Sequence, residues 1–302
     1  MVAQAQPPRP VRLGILATRE TETNLALARA SLALGVPATV MTPERALHAL
    51  RPGDIALGRL DVLPTLDGVE DGLWHLRLLE RRGIRVLNPA TALVSAHDKL
   101  LTSRRLEAAA VPAPATRHIG LRPRRPHDEL APPLVLKPRF GSWGVDVVRC
   151  DDAHAMLDSL TALRERPWFA QHGVLAQELV TPRGHDLRVL VAGGVVVGAV
   201  QRIAAPGEWR TNVALGAVRR KAVPPPSAAA LAIAAAAAVG GDLVGVDLLP
   251  VDDDGWTVLE VNGAVDFTPA YADCDVFEAA VAALLDVARR AAASDEAVST
   301  PS

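Results

Sequence analysis

Two apolar runs late in the chain, Asp242–Leu249 and Trp256–Val261, flank the turn sequence Asp252-Asp-Asp-Gly. Their length and spacing read as the two strands of a hairpin. Strand side chains alternate between faces, so Glu260 and Asn262 point the same way and Val261 points into the core. The first strand carries a single carboxylate, Asp247, between Val246 and Leu248. Taken alone, any one of these polar residues is ordinarily a turn residue or a solvated strand end. Three oxygen donors in one hairpin, two carboxylates and an amide, instead suit a hard cation such as Mg²⁺, which keeps waters and phosphate oxygens in its shell.

The pattern elsewhere falls into two regimes. Strand-like Val11–Ala17, helical Asn24–Leu34, strand-like Val36–Met41 and Asp54–Leu57, helical Leu73–Arg82 and strand-like Ile84–Leu87 alternate as in a small parallel α/β unit, expected at 11–94. Asp98 or His97 is expected to cap a helix through Ala110, before the breaker Val-Pro-Ala-Pro. From there short strands dominate: Leu134–Lys137, Val145–Arg149, Val174–Val180, Asp186–Val191 and Val195–Arg202, with helices at Ala153–Arg164, from Pro224 to Gly240, and at Val276–Ala292. Gly193-Gly194 marks a hairpin turn. The fold class is α/β joined to α+β, with units expected at 95–185 and 186–292 and loose ends at 1–10 and 293–302.

Charge excludes some functions. Lys and Arg number 32 against 34 Asp and Glu, a net charge of −2, which gives no general attraction to nucleic acid or an anionic membrane. No segment reaches the roughly 18 apolar residues of a membrane span, and the start lacks the apolar run of a signal peptide. Cys150 and Cys274 are far apart and have no metal-ligand spacing. A reduced, cytoplasmic protein is the expectation.

A second constellation surrounds Lys137, which ends the buried run Leu134-Val-Leu and is followed by Gly141-Ser-Trp-Gly144. A lysine there is costly unless it meets an anion, and loop glycines let backbone N–H groups approach phosphate. No Walker lysine motif is present, and a strand rather than a helix follows. A Gly-rich hairpin over nucleotide phosphates fits better than an ordinary flexible hairpin. Gln177-Glu178-Leu179-Val180 leaves an apolar strand and could present backbone groups to an adenine edge, although on its own it reads as a plain strand. Arg188, Arg202 and Arg210 interrupt apolar or turn-rich stretches; each alone is ordinarily a surface charge, but Arg210-Thr-Asn212 in a loop of small residues suits a transferring phosphate. Lys99 opens a helix, where the dipole disfavours a cation unless an anion is near. No nucleophile elbow, Ser/His/Asp pattern or histidine ligand cluster is present.

In this order these stretches resemble the ATP-grasp superfamily, and within it the RimK-type amino-acid ligases. The resemblance runs from Asn88-Pro and His97-Asp-Lys-Leu through Val135-Leu-Lys-Pro, Gly141-Ser-Trp-Gly-Val, Ala176-Gln-Glu-Leu-Val, Gly184-His-Asp-Leu-Arg and Arg210-Thr-Asn to Gly245-Val-Asp-Leu and Leu259-Glu-Val-Asn. It implies an ATP-grasp fold behind a small parallel α/β domain. By position it implies that Lys99 and Lys137 hold ATP phosphates under the loop of Gly141, Ser142, Trp143 and Gly144. Gln177, Glu178, Leu179 and Val180 would meet the adenine and Asp186 the ribose. Arg188, Arg210 and Asn212 would touch the reacting groups, and Asp247, Glu260 and Asn262 would bind two Mg²⁺ or Mn²⁺ ions. Arg202, Asp266 and Phe267 are expected on the substrate side.

The implied reaction is ATP-dependent amide formation through an acylphosphate, joining an amino acid or small amine to a carboxylate of a small molecule, peptide or carrier-protein terminus. A kinase on the same fold and a nucleotide-binding protein without turnover stand as alternatives. A homodimer or homotetramer is a further implication of the resemblance. Two departures stand out. Gly263-Ala-Val-Asp266-Phe267 replaces the small-Pro-Gly turn usual in ribosomal-protein-modifying members, and is similar to the carrier-protein ligases of lysine and arginine biosynthesis. Leu215 stands where a glycine is common.

Overall fold

Four short strands, β1 (Leu13–Leu16), β2 (Ala38–Met41), β3 (Ile55–Gly58) and β4 (Arg85–Leu87), pair in parallel in the order β2-β1-β3-β4. Helices α1 (Glu22–Ala33), α2 (Pro43–Ala49) and α3 (Leu73–Arg81) make the crossovers. β1 and β3 are buried at every residue, as parallel strands covered on both faces must be. The computed structural model describes residues 9–120 and 130–299. Of the ends expected to be loose at 1–10 and 293–302, residues 1–8 and 300–302 lie outside the described residues.

Helices α4 (Ala90–His97) and α5 (Lys99–Ala108) lead to a four-stranded antiparallel sheet of β5 (Thr116–Ile119), β6 (Leu134–Lys137), β7 (Val148–Cys150) and β8 (Val174–Glu178), ordered β5-β8-β6-β7. Helices α6 (Ala153–Arg164) and α7 (Pro167–His172) join β7 to β8. A five-stranded antiparallel sheet follows, ordered β11-β10-β9-β12-β13: β9 (His185–Ala192), β10 (Val195–Ile203), β11 (Val218–Lys221), β12 (Leu243–Pro250) and β13 (Trp256–Asn262). Helix α8 (Pro226–Val239) precedes β12, and α9 (Val276–Ser299) follows β13. This is the expected fold, a parallel α/β unit ahead of the two antiparallel sheets of an ATP-grasp core.

Several elements differ from expectation for physical reasons. The expected strand at Val145 begins only at Val148, because Trp143, Gly144 and Asp146 have φ of 59°, 76° and 54°, a left-handed run that no strand accommodates. Asn88-Pro89, read as a stop, also opens α4: proline suits a helix entrance. Asp98 is then the cap of α5, accepting from the N–H groups of Leu100 and Leu101. α9 runs past the expected Ala292 to Ser299, since no glycine or proline interrupts it. The short α2, α7, β5 and β11 carried too little periodicity to be read.

The two faces of the five-stranded sheet have different fates. One face, with Leu187, Val189, Val191, Val246, Leu248 and Val258, packs on the alanine-rich α8. On the other, Leu190, Ala192, Val200 and Leu243 share a core with Leu13, Ile15 and Leu27 of the parallel unit and with α9. That second face therefore has one end buried against the N-terminal unit. Its other end is left for polar side chains.

Asn88 ties the two units together. Fully buried at φ 47°, it accepts through Oδ1 from the N–H groups of Asp242 (2.7 Å) and Leu243 (3.0 Å). Its Nδ2 donates to the carbonyls of Leu243 (2.8 Å) and Gly263 (3.1 Å). Asn88→Ala strands these groups without water and is expected to cost roughly 2–4 kcal/mol. Urea unfolding measures this, and a change near zero contradicts it.

Candidate functional site

A cleft open to solvent lies between the two antiparallel sheets. Its lining includes Lys99, Lys137, Gly141, Ser142, Trp143 and Gly144 on one side, Gln177–Val180 at one end, and Arg202, Arg210, Asn212, Asp247 and Glu260 on the other. Residues separated by up to 161 positions, Lys99 to Glu260, are thus brought to one surface.

Lys137 ends β6 at 5% exposure, and its Nζ donates to Gln177 Oε1 at 2.7 Å. Gln177 is in turn oriented by donating to Thr116 Oγ1. Gln177, in the segment expected to meet the adenine, turns its side chain to the lysine and aims it. Burial lowers the Lys137 ammonium to about 8, opposed by Glu260 and reinforced by Lys99. Lys99 donates to the Gly141 carbonyl and lies 3.6 Å from Glu260 Oε2, so it links the Gly-rich loop to β13. Asp98 forks onto Arg139 (2.7 and 2.6 Å), locking the start of α5 to the residue after Lys137-Pro138. Asp98 was legible only as a helix cap, and Arg139 carried no signal in the sequence.

The lysine sets a pH dependence. Below about pH 8 Lys137 is charged in the free protein. A polyanion placed against Lys137 favours that charged form, so above this value binding of a nucleotide there would take up a proton. ADP affinity is expected to hold below about pH 8 and to fall above it, up to about tenfold per pH unit. Calorimetric titration tests this; Lys137→Arg, always charged, is expected to abolish the decline.

The opposite wall is built by strand register. Arg188 on β9 pairs with Asp247 on β12, and Asp247 pairs with Glu260 on β13. Arg202 on β10 pairs with Asp186 on β9. Asn262 lies opposite Gly245, two residues from Asp247, so the three expected metal ligands share one sheet face. Arg188 forks onto Asp247 with both bonds at 2.6 Å, and Arg202 adds a third at 2.8 Å. Burial pushes the Asp247 carboxyl up, but the two guanidiniums outweigh it and hold it well below the usual carboxylate range.

This arrangement gives several of the expected site residues partners within the protein. Asp186, expected at the ribose, is fully buried and bonded to Arg202 and Thr211, so it supports Arg202. Arg188 is outside the cleft lining and holds Asp247. Arg202 lines the cleft and spends Nε and Nη2 on two buried carboxylates, which leaves Nη1. Phe267 is 2% exposed and stacks on Phe277 at 4.8 Å; it is a core residue that anchors its loop. Asp266 is exposed at the N-terminal unit, held by the buried Arg59, which also donates to the Val265 carbonyl. Arg210 forks onto Glu208 and donates to the Gly144 and Val147 carbonyls, clasping the Gly-rich loop. Glu208, held down to about 2 mainly by hydrogen bonds from Arg210, was not legible in the sequence.

Among the described residues no three acidic, histidine or cysteine side chains converge as a metal cluster. The expected set has only two such groups plus an amide. Three of the roughly four lone-pair positions of Asp247 already accept from arginine. Glu260, ion-paired with Lys99 alone among the described residues, is the open donor. Hard oxygen donors on one face still fit Mg²⁺, led by Glu260, with Asn262 and the remaining lone pair of Asp247 beside it.

A model of the RimK-like ATP-grasp domain matches residues 96–282, more than half of the chain. The chain belongs to the RimK-like ATP-grasp family. It is 28% identical over 223 residues to the glutamate–LysW ligase ArgX of Sulfurisphaera tokodaii, covering 72% of this chain and 78% of that protein. It is 31% identical over 219 residues to beta-citrylglutamate synthase B of Mus musculus, covering 69% of this chain but 54% of that enzyme. The chain thus spans about half the length of the mouse relative. The crystal structure of a RimK domain ATP-grasp protein from Sphaerobacter thermophilus superposes with a TM-score of 0.63 at 24% identity, over 92% of this chain and 99% of that one, a likeness of fold. The ADP-forming, amide-forming ligase chemistry of ATP-grasp enzymes is the class of activity of this RimK-like chain. No helix of the described residues is long and apolar enough to cross a membrane.

Proposed function

We propose that this RimK-like chain joins a carboxylate to an amine through an acylphosphate, with an amino acid as one partner and a glutamate, peptide or carrier-protein terminus as the other. The observation that carries the reading is the meeting of Lys99, Lys137 and the Gly141–Gly144 loop with Glu260 across one cleft. Two cations and loop N–H groups suit the phosphates of ATP, with Glu178–Val180 at the adenine end. Mg²⁺, held by Glu260 with Asn262 and Asp247, supplies charge neutralisation on those phosphates when bound.

The residues of the chain do the rest by position. The substrate carboxylate oxygen attacks the γ-phosphorus and ADP leaves. The amine nitrogen then attacks the acyl carbon, and phosphate departs as the amide forms. Lys99 and Lys137 neutralise charge that builds on the phosphoryl oxygens, and Arg210 with Asn212 lies where the Gly-rich loop meets the opposite wall. The glutamate in the names of both relatives makes glutamate the first substrate to try.

The test is a phosphate-release screen over amino acids and candidate carboxylate acceptors, with product masses. A ligase releases ADP and phosphate only when carboxylate and amine are both present. A stable phosphorylated product without free phosphate identifies a kinase, and ATP binding without turnover a non-catalytic protein; either result overturns the proposal.

A further inference from the structure

The Gly-rich loop enters β7 through a backbone that most side chains avoid. Trp143, Gly144 and Asp146 have φ of 59°, 76° and 54°. Glycine takes this region freely, aspartate tolerates it, and a tryptophan there is uncommon. Such a run persists where the surrounding contacts over-determine it. One hold comes from the segment between β10 and β11: Arg210 donates to the carbonyls of Gly144 (3.2 Å) and Val147 (3.3 Å).

Asp146 makes the second hold. Its Oδ2 accepts from Trp168 Nε1 at 2.8 Å, and its Oδ1 lies 3.2 Å from Arg166 Nη2. Arg166 and Trp168 stand at the start of α7. The Trp168 ring is 3% exposed and belongs to the same core as Leu134, Leu136 and Phe169. Leu66, from a turn of the N-terminal unit closed by the Val62–Val69 bridge, joins that core. At the far end of α7, His172 Nε2 donates to the Asp67 carbonyl at 2.7 Å. The helix is thus pinned at both ends, and Asp146 ties the loop to it. Val145 and Val147 line the cleft on either side of Asp146, which does not line it. Asp146 therefore reaches a ligand in the cleft only through the loop that it holds.

We propose that Asp146 is a positioning residue: tethered to Trp168 and Arg166, it sets the Gly-rich loop in place before nucleotide arrives. The loop N–H groups then meet the β- and γ-phosphates without an ordering cost at binding. The proposal rests on the reading of this cleft as a nucleotide site, and it gives a role to a side chain outside the cleft.

Asp146→Gly separates the tether from the conformation, because glycine accepts the left-handed backbone and gives Trp168 nothing to bond. Asp146→Asn tolerates the same backbone and keeps one oxygen for the Trp168 N–H. Calorimetric titration of the wild type and both variants compares magnesium AMPPNP with AMP, which lacks the β- and γ-phosphates, and Tm is measured alongside. Asp146→Gly is expected to weaken AMPPNP about tenfold, the size of one lost charge-assisted bond, and to leave AMP unchanged. Asp146→Asn is expected to recover most of the AMPPNP affinity. Trp168→Phe keeps an aromatic ring in the core and removes the donor, so it is expected to show the same selective loss. A carboxylate that served only the fold would lower Tm and weaken both ligands alike. An aspartate merely tolerated at this φ would make glycine neutral for both. Either outcome overturns the proposal, as does a Trp168→Phe protein that binds both ligands like the wild type. A wild type that binds no AMPPNP overturns the nucleotide reading itself, so the two failures appear in different proteins.

Discussion

Glu260→Ala is expected to lower ADP formation by roughly a thousandfold in a protein that still folds. Glu260 ends β13 with a side chain 20% exposed, and its one ionic contact is Lys99 at 3.6 Å. A long, part-exposed pair of this kind contributes little to stability. Its removal takes from the phosphate side of the cleft a carboxylate that no arginine claims, since Asp247 accepts from Arg188 and Arg202. It also leaves Lys99 and Lys137 facing each other without a counter-charge, so some ATP affinity should survive while turnover does not. Asp247→Ala makes a useful contrast, because that carboxylate is buried under two guanidiniums and its loss should damage folding as well. Measuring ADP formation and urea unfolding on both variants separates the roles. Full activity in Glu260→Ala removes the metal assignment.

The sequence made the strands of the site legible because their constraint is local. Lys137 after Leu-Val-Leu, and Glu260 and Asn262 two apart at the end of an apolar run, announce an anion or cation by the cost of leaving them buried alone. The same rule could not say which partner satisfies each charge, since that is set by register between strands. Asp186 and Arg202 are 16 residues apart, and only the β9–β10 pairing reveals that they neutralise each other. Phe267 shows the limit from the apolar side: beside Asp266 it reads as part of a substrate loop, whereas the packing of α9 against the five-stranded sheet takes its ring into the core. The clasp of Glu208 and Arg210 on the Gly144 carbonyl joins two loops, and no periodic pattern marks such a contact. The Asn88 bonds to Asp242 and Leu243 bridge 154 and 155 positions and depend on a left-handed backbone at one residue.

Arg202→Leu tests the wall beneath the cleft, and it is expected to cost roughly 3–5 kcal/mol of stability near neutral pH. The side chain sits at 5% exposure between Asp186 and Asp247, both essentially buried. Leucine removes the only cation that bridges the two and leaves Asp186 with a single hydroxyl donor, Thr211. Protonation then becomes the cheapest remedy. Burial already raises the Asp186 carboxyl above its ordinary value, and loss of Arg202 raises it further. A carboxyl with a raised folded value holds its proton while the unfolded chain has released it, so its stabilising share is present at low pH and is lost as pH rises. In the wild type Asp247 is the reverse case, held low by its arginines, and that contribution fades as pH falls. The Asp186 effect acts between neutral pH and about 4, so the stability gap between variant and wild type should narrow as the pH is lowered through that range, while the Asp247 contribution fades only at lower pH still. Adding Asp186→Leu to Arg202→Leu should recover part of the loss near neutral pH, since an apolar pair carries no stranded charge. A gap that stays constant with pH would show that Arg202 contributes only its packing.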